Sequence, residues 1–492
     1  MESVTSSPHQ NPHFVLVPWL AQGHIIPMID IAHLLADRGV IVSLITTPAN
    51  LSRIKPTADR VHESKLPIHF IPLPFPSAEF GLPVGCENLD SLPSKSLAVN
   101  FYNASKMLKQ PLINHLRDPK TPAPTCIISD IGHPWTTDVA REFSMPRLIF
   151  QGYNCFAILC FENLTVYKTH ETVQSASESF VLPGLPQQIE ITRLQLPKQF
   201  QETQEYRDIH KEVRESEVAA DGIVINSFDE LEVGYRGLLE KSTGKKAWMI
   251  GPVSLCNKGS KDLAERGNKA SIDEAKCKSW LDTMSPNSVV YVCFGSMGSL
   301  GPSQLIEQGS GLLASNRPFI WVIKSVQNSD VENWLSENLS DESKCLVIKG
   351  WAPQAMILSH TAIGGFVTHC GWNSTFEGVC AGLPLLTWPM FSEQFLNERF
   401  VVEVLKIGVS VGVKTPTEWA EVKDDVVVTR EEIAKAVERL MENGEEAEGR
   451  RRRAKRFAEI AKRALEEGGS SYLNLTMLIQ HALNYQGCKN VM

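Results

Sequence analysis

The sequence predicts an α/β protein of two domains, each built on a parallel sheet with helices on its faces. Three observations predict it. At 492 residues the chain is too long for one ordinary core. Short apolar runs alternate with helical patterns in the first half, the grammar of βαβ units. The same alternation restarts near Val289, after the charged, Gly- and Ser-containing stretch from Asn257 to Glu274. The expected division is a first domain over 1–256, a linker over 257–274 and a second domain over 275–470. The final stretch, 471–492, is expected as a helix that packs back on the first half.

In order, Phe14 to Val17 is a strand and Pro18 to His24 a loop. Pro27 then opens a helix that Gly39 stops, and residues 40 to 47 form the next strand. Pro72 to Pro93 is rich in Pro, Gly and Ser and reads as a long loop. Phe101 to Leu116 is helical, Cys126 to Asp130 a buried strand, Trp135 to Phe143 a helix and Arg147 to Phe150 a strand. Pro183 to Glu205 is irregular. Gly222 to Asn226 is a strand with a helix from Asp229, and Trp248 to Pro252 closes this half. The second half has strands at 289–294, 319–323, 345–350, 365–368 and 384–388, with helices at 303–314, near Gln354, at 373–381 and from Thr429 to near Glu467.

Composition narrows the class. The chain is 43% hydrophobic and 21% charged, with a net charge of -8, so nothing in the overall balance supports a nucleic-acid partner. The start MESVTSSPHQNPH lacks a basic region followed by an apolar run, and no apolar run reaches the roughly 18 residues of a membrane span. Eleven cysteines, an odd number without a CxxC pair, fit reduced thiols in the cytoplasm rather than a disulfide or zinc framework. A monomer is the expected state.

The chemistry concentrates between Trp351 and Gln394. A strand leads through His369-Cys370-Gly371-Trp372 into a helix at Asn373. Free N–H groups at a helix start attract anions. Asn373, Ser374 and His369 add donors for a phosphate; an ordinary capped helix would look the same. Glu377 lies one turn on and can accept from ribose hydroxyls, or is a solvated helix residue. Trp351 ends a strand, where its indole can stack on a base or join the core. In the first half His24 and Asp130 each end or follow a strand. A histidine held by a carboxylate is a competent general base, while a loop histidine and a capping aspartate are the plainer reading. GxSxG, HExxH, P-loop and GxGxxG motifs are absent, and the run from Arg450 to Arg453 reads as a solvated helix face.

The stretch WAPQ…HCGWNS…E…EQ closely resembles the signature box of plant secondary-product UDP-glycosyltransferases. The similarity extends to PWLAQGHIIP at the start, the strand ending in Asp130, FGS at 294 to 296 and GGSSYLNL near the end. The subgroup acting on flavonoids and triterpenoid or steroid aglycones fits best. The resemblance implies a GT-B fold, two Rossmann-like domains facing each other across a cleft. It implies uracil on Trp351 and Ala352, ribose on Gln354 and Glu377, and diphosphate on His369, Asn373 and Ser374 with Ser296 nearby. Trp372, Glu393 and Gln394 would contact the sugar, His24 would deprotonate the acceptor hydroxyl, and Asp130 would support it. It also implies inverting transfer from a UDP-sugar co-substrate to a small-molecule acceptor, with no metal and no cofactor. Gln394 favours UDP-glucose; Tyr153 replaces a small hydroxyl residue common in relatives, which leaves galactose, pentose or glucuronic acid donors open. A nucleotide-sugar-binding protein without catalysis is the contrasting reading.

Overall fold

The computed structural model describes residues 11–200, 206–324, 328–417, 419 and 423–487. The opening residues 1–10, the stretch 201–205 at the end of the irregular segment and the final residues 488–492 lie outside that set.

Two parallel sheets dominate. The first takes β1 (His13–Val17), β2 (Ile41–Thr46), β3 (Ile68–Pro72), β4 (Cys126–Asp130) and β5 (Arg147–Phe150). A separate antiparallel hairpin, β6 (Ser179–Val181) with β7 (Glu190–Thr192), interrupts before β8 (Gly222–Ile225) and β9 (Lys246–Met249) complete the sheet. Its order is β3-β2-β1-β4-β5-β8-β9. The second sheet takes β10 (Val289–Cys293), β11 (Phe319–Ile323), β12 (Cys345–Lys349), β13 (Ile363–Thr368), β14 (Leu385–Thr387) and β15 (Gly408–Ser410), in the order β12-β11-β10-β13-β14-β15. The central strands are buried from end to end, which is why they read as unbroken apolar runs. In each sheet the chain runs outward one way from the first strand and then crosses to its other side. This leaves a switch point between β1 and β4 and another between β10 and β13, where such sheets leave a crevice for ligands.

Several elements differ from expectation. The helix expected to open at Pro27 spans Gln22–Ala36, so His24 sits in its first turn and Pro27 lies inside it. The single helix expected over 101–116 is two, Ala98–Lys106 and Lys109–Arg117, and the long helix after Thr429 is broken into Arg430–Met441 and Glu445–Leu465. The helix expected from Asp229 begins at Tyr235. A helix over Cys155–Tyr167 was not foreseen. From Cys155 to Leu164 it is buried on nearly every side, only the last turn from Thr165 to Tyr167 being exposed, so it shows little helical period. Asn154 caps it by accepting from the Ala157 N–H at 2.7 Å, and the buried Glu232 carboxylate takes the Cys155 and Phe156 N–H groups at 3.1 and 2.6 Å.

The stretch 257–274 is more than a connector. It holds a short helix, Ser260–Ala264, and its later residues pack between the halves. The last helix, Ser470–Gly487, returns to the first sheet. Leu475, Leu478 and Ala482 join that core, and Ser471 and Asn474 donate to the carbonyls of Gly251 and Met249.

Candidate active site

The two switch points face one cavity of about 820 Å³. Its walls include His24, Asp130, Gly152 and Tyr153 from the first half, and Ser296, His369, Trp372, Asn373, Ser374, Glu393 and Gln394 from the second. The volume suits a small organic molecule together with part of a nucleotide sugar.

On the first sheet, β1 leads directly into the His24 helix, and the neighbouring β4 ends on Asp130. Strand pairing therefore brings two residues 106 apart in sequence to one edge. His24 Nδ1 donates to Asp130 Oδ2 at 2.6 Å. An ionised carboxylate only accepts, so Nδ1 carries the proton and Nε2 keeps its lone pair. Asp130 is almost wholly buried, and its other oxygen takes the Gly132 N–H at 3.0 Å. Burial works to lower the His24 pKa, but the charge of Asp130 and its hydrogen bond, with Glu393 adding to them, raise it above the ordinary value. Gly152 leaves room for the ring: a Cβ there would come within 3.2 Å of His24 Cε1.

A second histidine, His133, is held neutral beside this pair. It spans from the β4 end to the Pro18 carbonyl at 3.0 Å through Nε2, while Nδ1 accepts from Trp135 Nε1 at 3.2 Å. Burial pushes its pKa down to about 4. Its role is to fix the loop beneath Trp19 against β4, with the two rings 5.1 Å apart.

On the second sheet, β13 runs into the helix Trp372–Cys380, capped by Gly371. His369 lies at that turn, its Nδ1 buried without a partner. Burial, with Lys324 adding to it, pushes its pKa down to about 4, so at neutral pH it offers a neutral N–H and no positive charge. Two glycines make room for its ring. At Gly295, where φ is +66°, a Cβ would come 2.6 Å from Cε1, and at Gly371 one would come 2.4 Å from Nε2. Gln394 Oε1 accepts from the N–H groups of Met390 and Phe391 at 2.9 and 3.1 Å, which turns its amide NH₂ outward as a donor. Glu393, buried, accepts from Ser392 and from the Trp372 backbone N–H, and burial raises its pKa.

Trp372 stands at the cavity wall with its indole turned into the core. Its indole is 2% exposed, stacks on Phe376 at 4.9 Å, and donates Nε1–H to the Asn226 carbonyl across the domain boundary at 2.8 Å. That N–H is spent on the fold, and the residue's backbone N–H is held by Glu393.

Asn373 reaches across the cleft, and the reason is a proline. Pro27 has no N–H, so the Gly23 carbonyl one turn earlier loses its partner within the helix. The Asn373 amide donates to that carbonyl. The helix that carries His24 is thereby pinned to the start of the helix Trp372–Cys380.

Trp351, Ala352, Gln354 and Glu377 cluster beside this cavity rather than on its wall. Gln354 Nε2 donates to Ser374 Oγ at 3.1 Å and to Glu377 Oε2 at 2.9 Å, and the Ala352 carbonyl takes the Gln354 N–H at 2.8 Å. Trp351 is half-buried, and its Nε1 is buried without a partner. Arg266 pairs with Glu377 here. Sequence reasoning passed over it as one charge in a charged stretch.

Residues 13–255 match the family pattern described as glycosyltransferase, N-terminal domain, and residues 268–444 match UDP-glucoronosyl and UDP-glucosyl transferase. UDP-glycosyltransferase 73D1 of Arabidopsis thaliana is 47% identical over 98% of this chain and 99% of its own length. UDP-glycosyltransferase 73C12 of Barbarea vulgaris is 46% identical over 97% of this chain and 98% of its own. Among solved structures, UGT73P12 of Glycyrrhiza uralensis, complexed with glycyrrhetinic acid 3-O-monoglucuronide, superposes with a TM-score of 0.91 at 37% identity, covering 98% of this chain and 97% of that one. UGT71G1 of Medicago truncatula, complexed with UDP-glucose, gives 0.77 at 25% identity over 96% and 98% of the two chains. No helix among the described residues is long and apolar enough to cross a membrane. With two Rossmann-like sheets meeting at one cleft in the GT-B arrangement, the chain belongs to the plant UDP-glycosyltransferases, among the enzymes of the 73 group.

Proposed function

We propose that the protein transfers glucose from UDP-glucose to a hydroxyl of a small hydrophobic plant metabolite, a flavonoid, triterpenoid or steroid, with inversion to a β-glucoside. The observation that carries this reading is the pairing of His24 with Asp130 at 2.6 Å, inside the cavity that also holds the start of the helix Trp372–Cys380.

The donor's diphosphate lies against the N–H groups of that helix start, with Ser374, Asn373, His369 and Ser296 around it, uracil on Trp351 and Ala352, and ribose on Glu377 and Gln354. These donors offset the leaving diphosphate's charge, so the reading requires no metal. Neutral His369 acts as a hydrogen-bond donor. Glu393 and the outward amide of Gln394 hold the sugar hydroxyls. His24 Nε2 takes the proton of the acceptor hydroxyl as its oxygen attacks the anomeric carbon from the face opposite UDP. Asp130 stabilises the imidazolium that forms. The acceptor lies between Trp19, Leu89 and the segment Leu194 to Pro197, whose apolar surfaces suit a flat or polycyclic skeleton. Buried, unpaired thiols fit a cytoplasmic enzyme.

UDP-glucose should be turned over faster than UDP-galactose by roughly fivefold. Inverting one hydroxyl misplaces one hydrogen bond to Gln394, worth about 1 kcal/mol. A panel of UDP-sugars and aglycones, with products read by mass spectrometry, checks this. Equal kcat/KM for the two hexoses, or preference for a pentose or glucuronic acid donor, would overturn the sugar assignment.

A further inference from the structure

Arg266 belongs to the stretch between the domains, yet its side chain bridges the helices that carry Asp30 and Glu377. Its side chain is 13% exposed. One terminal nitrogen, Nη2, donates to Asp30 Oδ2 at 2.5 Å, and the other, Nη1, donates to Glu377 Oε1. Asp30 is itself buried on the His24 helix, where its other oxygen takes Asn257 Nδ2 at 2.8 Å. Burial disfavours the Arg266 charge, but the two carboxylates outweigh it and raise its pKa above the ordinary value.

The residues after Arg266 lie equally close to the donor end. At Gly267, where φ is +93°, a Cβ would come within 2.6 Å of Trp351 Cζ2 and 2.8 Å of Ile26 Cδ1. Asn268 accepts from Gln22 Nε2 at 2.6 Å. Ser271 exchanges two hydrogen bonds with the Trp351 backbone, at 2.7 and 2.9 Å. Glu377 keeps capacity in this arrangement. Each of its oxygens has one protein partner, Arg266 or Gln354, and a carboxylate has about four acceptor positions. Two remain for a pair of vicinal hydroxyls.

We infer that Arg266 is a donor-positioning residue: braced by Asp30, it holds the Glu377 carboxylate ready for the ribose hydroxyls and couples nucleotide binding to the segment that joins the domains. The inference rests on the donor site proposed above. A charged group gripped from behind loses little freedom when its ligand arrives, which favours binding. The bridge also connects the two helices a second time, since Asn373 and Glu377 are one turn apart on one helix and Gly23 and Asp30 share the other.

The test compares UDP with 2′,3′-dideoxy-UDP by calorimetry on the full chain. Arg266→Ala should weaken UDP by about tenfold and the dideoxy nucleotide by less than about threefold. In turnover the loss should fall on KM for the UDP-sugar, with kcat at saturation nearly unchanged. In a Glu377→Gln background the same substitution should add no further loss. Arg266→Lys, which keeps the charge but spans one carboxylate at a time, should show a smaller loss with the same selectivity for the ribosyl nucleotide. Equal weakening of both nucleotides in both variants would make Arg266 a structural bridge only and overturn the inference, as would unchanged UDP binding. Failure of the unaltered protein to bind UDP would instead remove the donor site, and this inference with it.

Discussion

Replacing His24 with alanine is expected to lower glycosyl transfer by on the order of 10³-fold, with UDP binding within about twofold of the unaltered protein. Binding survives because the groups proposed for the nucleotide come from the second half and from Arg266, and none of them hydrogen-bonds to the His24 ring. The Asn373 contact on this helix is to the Gly23 carbonyl, which the substitution leaves in place. Steady-state rates with a responsive aglycone, set beside calorimetry with UDP, check both halves. Unchanged turnover would remove His24 from the chemistry. Loss of nucleotide binding would mean that the residue supports the cleft rather than the reaction.

Asp130→Asn is expected to have the second large effect, a loss on the order of 10²-fold in kcat. An amide in place of the carboxylate can present either a donor or an acceptor to Nδ1, so the tautomer is no longer fixed, and the imidazolium formed in the reaction loses its counter-charge. The pH profile separates this from a packing defect. The base must be neutral, and the unaltered His24 pKa is raised above 6.5, so the acidic limb of kcat/KM lies above that value. Without the Asp130 charge, burial dominates and the limb moves to lower pH even as the plateau falls. A lower plateau with an unmoved limb would contradict the assignment. The same shift has a stability consequence of defined sign. The charged pair stabilises the fold fully below the unfolded-state value near 6.5, and that contribution is lost as pH rises through the higher folded-state value.

The βα alternation was legible because buried parallel strands must be apolar throughout, and β4, β5 and β11 appear with the bounds expected of them. The positions of His24 and Asp130 after adjacent strands were legible for the same reason. Their meeting was not, since strand order is set by long-range pairing. The true start of the His24 helix was hidden by Pro27, which is normally a first-turn residue. Here it lies at the sixth position, and its missing N–H frees a carbonyl for Asn373. The helix Cys155–Tyr167 was missed because burial of most of its length erases amphipathic period. The packing of the Trp372 indole was not legible, because the partner of its N–H, Asn226, lies 146 residues away. Arg266 carried no local signal, because its two carboxylate partners are 236 and 111 residues distant.

On the function proposed above, the base pair of one half and the nucleotide site of the other form a single reaction centre. A crystal structure of the protein soaked with UDP-2-fluoroglucose, a slow donor analogue, tests it most directly. The diphosphate is expected at the start of the helix Trp372–Cys380 beside His369 and Ser374, the ribose on Glu377, and the anomeric carbon open to His24 Nε2 from the side opposite UDP. A nucleotide bound elsewhere, or a sugar directed away from His24, would contradict it.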